Sequence, residues 1–152
     1  MALVNPMLPV KAITIHHDGI PTIFWGEDVA TSRARIEFIR RAHRNKGWGD
    51  IGYHVVIDRA GRVWEGRPLQ WQGAHVKNHN EGNLGILVMG NFEIQQPTAA
   101  QLASLDKVVR MARAQWKVSK SNLKSHREWA DASTSCPGKN LQGRWATIRA
   151  KV

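Results

Sequence analysis

One cysteine in 152 residues rules out a disulfide within the chain. Cys136 is left as a buried small hydrophobe, a reactive thiol or a metal ligand. Long apolar runs are also missing: nothing approaches the ~18 apolar residues of a membrane-spanning helix, so no transmembrane segment is expected. Met1–Val10 is broken by Asn5, Pro6 and Pro9 and has no basic stretch leading into an apolar one, so it does not read as a signal peptide. Synthesis in the cytoplasm follows as the expectation. Acidic residues are scarce, 12 against 22 Lys and Arg, giving a net charge of +10. Such a surface favours polyanionic partners, whether nucleic acid or anionic cell-envelope polymers, by long-range attraction. No nucleic-acid-binding motif accompanies the charge, so a specific nucleic-acid partner is not expected. No repeat, low-complexity segment or linker divides the chain, which reads as one domain over residues 1–152 with its core at about 11–150.

What is present is an ordinary globular composition, 42% hydrophobic and 22% charged, on a chain long enough to bury about two-thirds of its unfolded surface as a monomer. Lys11–His16 is a short β-branched run and reads as a strand. Thr31 or Ser32 caps a helix from about Arg33 to Asn45, and Gly47 is placed to stop it in a left-handed conformation. Ile51–Asp58 reads as a strand that pairs with Arg62–Glu65 across Arg59–Ala60–Gly61. Leu69–Asn83 is polar and irregular, where a binding surface is expected. Leu84–Gly90 is continuously apolar, as in a strand covered on both faces. Thr98 and Gln101 form a capping box before a helix over Ala99–Trp116. A short strand near Asn122–Ser125 and a helix over about Leu141–Ala150 complete the pattern. Strands interleaved with helices predict an α/β domain with a mixed central sheet flanked by helices.

Ligand arithmetic points to one site. Cys136 lies ten residues after His126, and the pair His16–His17 ends the first predicted strand. Zinc accepts imidazole and thiolate, and a catalytic site keeps three protein ligands with a fourth position open. One histidine of the pair with His126 and Cys136 would make that set. Adjacent strand residues point to opposite faces, so His16 and His17 cannot both serve. Spacing alone does not choose between them.

Six segments occur in order: ITIHHD at 13–18, GWGDIGYHVVIDRAGRVWEGR at 47–67, GAH at 73–75, NLGILVMGNF at 83–92, SHRE at 125–128 and TSCPG at 134–138. Together they resemble the zinc N-acetylmuramoyl-L-alanine amidases, a family that includes phage lysozyme-type amidases and animal peptidoglycan recognition proteins. The resemblance spans about Ala12 to Trp145. It implies that fold, a Zn2+ cofactor at one sheet edge near the end of the first strand, and hydrolysis of the amide between N-acetylmuramic acid and L-alanine in peptidoglycan.

Position by position, the resemblance implies His16, His126 and Cys136 as metal ligands, with His17 facing away. It implies Tyr53 beside the reacting centre and Thr134 as a hydrogen-bond donor there. Phage-type members carry lysine at the Thr134 position, and a hydroxyl brings no charge to an oxyanion. Some relatives place glutamate where this chain has Leu87. No carboxylate occurs within 84–90, so Tyr53, directly or through water, becomes the candidate proton acceptor. Trp71, His75 and Asn80 fall in the loop that the resemblance places along the substrate groove. A small phage endolysin acting on the wall after release is the expected setting; a non-catalytic peptidoglycan-binding module is the alternative.

Other features read as structure. Arg33, Arg35, Arg40, Arg41, Arg44 and Lys46 set six cations against Glu37 on the first helix, a solvated face or an adhesive one for anionic wall polymers or outer-membrane lipid. Trp64, Trp116 and His54 read as packing residues, and the S-x-x-K match at Ser121–Lys124 lacks its partner motifs.

Overall fold

The computed structural model of the chain describes residues 5–152. In chain order the elements are β1 (Ala12–His17), α1 (Val29–Asn45), β2 (Val55–Ile57), β3 (Val63–Glu65), β4 (Asn83–Val88), α2 (Ala99–Trp116), β5 (Leu123–Ser125) and α3 (Lys139–Lys151). The strands form one sheet in the order β3-β2-β4-β1-β5. β4 runs parallel to β1 and β2, β5 runs parallel to β1, and only the β2–β3 hairpin is antiparallel. The expected mixed sheet with flanking helices is what forms. Residues 1–4 of the segment read for a signal peptide lie outside the described residues.

Alternation along the central strands divides the core. From β1 and β4, Ile13, Ile15, Leu84, Ile86 and Val88 join Leu105 and Val109 of α2 and Leu141, Trp145 and Ile148 of α3. On the other face Leu87 and Val56 meet Ile36 and Ile39 of α1 together with Ile51 and Met89. Every residue of β1 and of β4 is buried, as the apolar run of β4 predicts.

Two boundaries differ most from the sequence reading. α1 begins at Val29 instead of about Arg33, because Asp28 accepts from the Thr31 amide (2.8 Å) and hydroxyl (2.6 Å) and caps the helix from further upstream. β2 is confined to Val55–Ile57, since the carbonyls of Gly52 and Tyr53 are taken by the amides of Ala74 and Arg67 in the neighbouring loop. β1 is an interior strand, because β5 pairs outside it. The capping box of α2 forms as read: Thr98 Oγ1 accepts from the Gln101 amide (3.0 Å) and Gln101 Oε1 accepts from the Thr98 amide (3.0 Å).

Candidate metal centre

The ladder settles which histidine of the pair meets His126 and Cys136. His16 projects to the face opposite Ile13 and Ile15 and is 1% exposed. His17 lies over Phe92, and its Nδ1 accepts from the Phe92 amide at 3.1 Å. The ring of His16 is 4.7 Å from that of His126 and 5.1 Å from that of Tyr53, centroid to centroid.

Cys136 arrives on a closed loop. The Arg127 amide donates to the Cys136 carbonyl (3.0 Å), the Arg127 guanidinium donates to the Ser135 carbonyl, and Thr134 Oγ1 accepts from the Cys136 amide (3.1 Å). Gly138 then passes so close to the Phe92 backbone that a Cβ would lie 2.4 Å from its carbonyl carbon, at a φ of +88°. Only glycine fits both demands.

One ligand atom from each of His16, His126 and Cys136 lies within 4.8 Å of the others, the single such grouping of three among the described residues. Cys136 Sγ is 3.6 Å from His16 Nδ1. A zinc ion with bonds of about 2.3 Å to sulfur and about 2.1 Å to nitrogen at a tetrahedral angle would hold those two atoms roughly 3.6 Å apart. The donor set therefore fits zinc in type, number and spacing.

Electrostatics agree with that assignment. Burial, reinforced by His75 and His126, holds His16 well below the ordinary histidine pKa, and burial lowers His126 as well. Both rings are neutral at neutral pH and keep a lone pair to offer. Burial pushes the Cys136 thiol up to about 12, so in the metal-free protein it is protonated and inert as a nucleophile. A bound cation inverts that logic and takes the thiolate.

Burial, with Cys136 and Asp18 adding to it, also pushes the Tyr53 hydroxyl up. In the metal-free protein Tyr53 thus keeps its proton beside the cluster. The carboxylates around the ligand-bearing segments are engaged too. Asp18 accepts from Arg35 and from the Ile20 and Gly90 amides, Glu93 from Arg127 and the Lys139 amide, and Glu128 from Arg149 and the Ser125 amide.

The remaining site residues are placed as follows. Thr134 is exposed and uses a lone pair on the Cys136 amide, which leaves its O–H free to donate. Trp71 is half-buried, and its carbonyl accepts from His54 Nε2 (2.9 Å). Asn80 Oδ1 accepts from the His75 and Val76 amides (2.8 and 2.9 Å), so its oxygen shapes the loop. His75 is 8% exposed, with both ring nitrogens engaged inside the protein, by His16 and by the Asn83 carbonyl. Sequence reasoning missed Arg67, which is 3% exposed and donates to the carbonyls of Trp48, Asp50, Ile51 and Gln72, tying the Tyr53 segment to the polar loop. An arginine that ends a strand motif carries no local sign of that reach.

The model of the family described as N-acetylmuramoyl-L-alanine amidase matches residues 6–139. The chain belongs to the N-acetylmuramoyl-L-alanine amidase family. A pig protein of that name is 34% identical over 151 residues, covering 95% of this chain, although the chain spans only 25% of the pig protein's length. The endolysin of Enterobacteria phage K11 is 33% identical over 112 residues, 70% of this chain and 71% of the phage protein. Among solved structures, the amidase LysC of Clostridium intestinale superposes with a TM-score of 0.80 at 28% identity, covering 98% of this chain and 89% of that one. The Drosophila peptidoglycan recognition protein SD reaches 0.81 at 27% identity, covering 97% and 84%. The family thus holds both amidases and recognition proteins on this fold.

Proposed function

We propose that this amidase-family chain is a zinc-dependent enzyme that hydrolyses the amide between N-acetylmuramic acid and L-alanine of peptidoglycan. The observation that carries the reading is the trio His16, His126 and Cys136, with ligand atoms within 4.8 Å of one another and Tyr53 alongside. His16 and His126 would hold the ion through neutral nitrogens and Cys136 through its thiolate, releasing one proton on loading. Zinc held there supplies Lewis acidity toward the scissile carbonyl and acidifies water to a pKa of about 7.

The protein's own groups do the rest. The Tyr53 O–H, kept protonated by burial, donates to the carbonyl oxygen as negative charge develops on it. The Thr134 hydroxyl is held against the Cys136 amide and is free to donate a second hydrogen bond to the same oxygen. Trp71, half-buried in the polar loop, offers an aromatic face to the glycan. The sequence likeness to the K11 endolysin supports a role as an endolysin that reaches the wall after release. Anionic wall polymers are the partners suited to the +10 charge.

Digestion of purified peptidoglycan tests the reading. New alanine amino termini without new reducing sugar ends, abolished by a chelator and restored by zinc, are expected. Protein that sediments with the wall yet releases no amino termini with zinc present would overturn it in favour of a binding module.

A further inference from the structure

We infer that His75 is a positioning residue for the metal centre, an inward-facing imidazole that fixes which nitrogen of His16 is offered to the ion. The inference rests on the zinc reading above only for its purpose, since the hydrogen bonds that carry it lie within the protein.

Three contacts in series make the case. The Asn83 carbonyl, a pure acceptor, is 3.0 Å from His75 Nε2, so that nitrogen carries hydrogen. In the neutral ring the other nitrogen, Nδ1, is then bare. It lies 2.9 Å from His16 Nε2, which must be the donor of that bond. His16 is left with its lone pair on Nδ1, and Nδ1 is the atom that faces Cys136 Sγ at 3.6 Å. A backbone carbonyl at the first residue of β4 thereby selects the tautomer of a side chain on β1, with His75 as the coupling between them. Metal-bound histidines commonly have their second nitrogen fixed by such an outer partner.

The surroundings are built to seat this ring. A Cβ on Gly85 would lie 2.7 Å from His75 Cδ2 and one on Gly73 would lie 2.6 Å from it, so both neighbours have given up their side chains to the imidazole. Asn80 Oδ1 pins the backbone from the other side through the His75 and Val76 amides. His54 packs edge-on at 6.0 Å, itself fixed by the Gly85 amide on Nδ1 and the Trp71 carbonyl on Nε2. With both nitrogens used and 8% of the residue exposed, His75 has nothing left with which to ligate the ion or bind a peptide.

The test has two readouts besides catalysis. Long-range nitrogen–proton NMR of the metal-free wild-type protein should find hydrogen on His16 Nε2 and none on Nδ1. Zinc affinity by chelator competition should fall about 10- to 100-fold in His75→Phe, which fills the space but accepts no hydrogen bond. Most of that loss should return in His75→Gln, whose carboxamide can accept from His16 and donate to Asn83. Hydrogen on His16 Nδ1 in the wild type would overturn the inference, as would His75→Phe binding zinc within about twofold of wild type. Should His75→Phe not fold, the wild-type tautomer decides alone. A wild-type protein that took up no zinc would sink the amidase reading, while the tautomer would still decide this one.

Discussion

The two faces of the sheet are built from the same strands and by opposite rules. Toward α2 and α3, β1 and β4 present Ile13, Ile15, Leu84, Ile86 and Val88 to an apolar layer. Toward α1 the same strands present Thr14, His16, Asn83 and Gly85. Here Thr14 donates to Asn83 Oδ1, Trp129 Nε1 donates to Thr14, and Asn83 Nδ2 donates to the His79 carbonyl. Leu87 and Val56, under Ile36 and Ile39, are the apolar remnant of that face. The first face is held by area removed from water, which is non-directional and tolerates shape-conserving exchange. The second is held by hydrogen bonds whose partners cannot be exchanged singly without leaving a buried polar group unpaired. Stability resides mainly on one side of the sheet and chemistry on the other.

That contrast is open to direct attack, beginning with the apolar face. Leu105→Ala removes a fully buried side chain and should cost about 2–5 kcal/mol in denaturant unfolding. Zinc uptake per folded molecule should stay at the wild-type level; a parallel loss of zinc affinity would show that the faces are coupled.

Acid should strike the polar face. His43 is lowered to about 4 and His75 to about 3, mainly by burial, from an ordinary 6.5. Below 6.5 the unfolded chain binds protons that the folded chain refuses, so stability falls as pH drops through the window from 6.5 toward 4. Each of these two histidines should contribute roughly 1 kcal/mol of loss between pH 6.5 and 5.5 in the metal-free protein. Unfolding midpoints measured across that range check the sign; a midpoint that rose on acidification would contradict it.

A smaller change sharpens the comparison. Gly85→Ala adds a methyl 2.7 Å from the His75 ring, where either strand or ring must shift. A cost of about 1–3 kcal/mol in stability is expected, with zinc affinity falling about tenfold as His75 is displaced. Ile86→Val, next in the strand but on the apolar face, should cost about 0.5–1.5 kcal/mol and leave zinc affinity alone.

The least effect on stability belongs to the surface. Of the six cations on and just after α1, Arg35 is paired with Asp18, Arg40 with Glu37 and Asp50, and Arg44 approaches Asp50 at 3.7 Å. Arg33 and Arg41 make no ion pair among the described residues. Reversing both to glutamate should change stability by no more than about 0.5 kcal/mol. It should nonetheless weaken sedimentation with whole walls at low salt, and unchanged sedimentation would leave the basic helix as a solvated face.

Much of this was legible along the chain. The capping box at Thr98 and Gln101, the apolar run of β4 and the stop at Gly47 are local signals, and each element formed close to where its signal lay. At the start of α1 Thr31 resembles a cap, but Asp28 accepts from both its amide and its hydroxyl and caps the helix instead. Ile51–Gly52 looks like strand, but the loop carrying Ala74 and the guanidinium of Arg67 claim its carbonyls, and no local pattern announces that.

By itself the sequence determined the chemistry available: one thiol, seven histidines, an alternation that sends His16 and His17 to opposite faces, and a polar loop rich in glycine. Those properties depend on residue type and on a period of two, both of which are local. Only the tertiary structure decided which histidine of the pair meets Cys136, that the Tyr53 ring lies beside His16, and that the Asn83 carbonyl reaches His16 through His75. Each of these follows from the approach of segments far apart in the chain. Such approaches are fixed by strand register and loop packing, which no single stretch of the chain encodes.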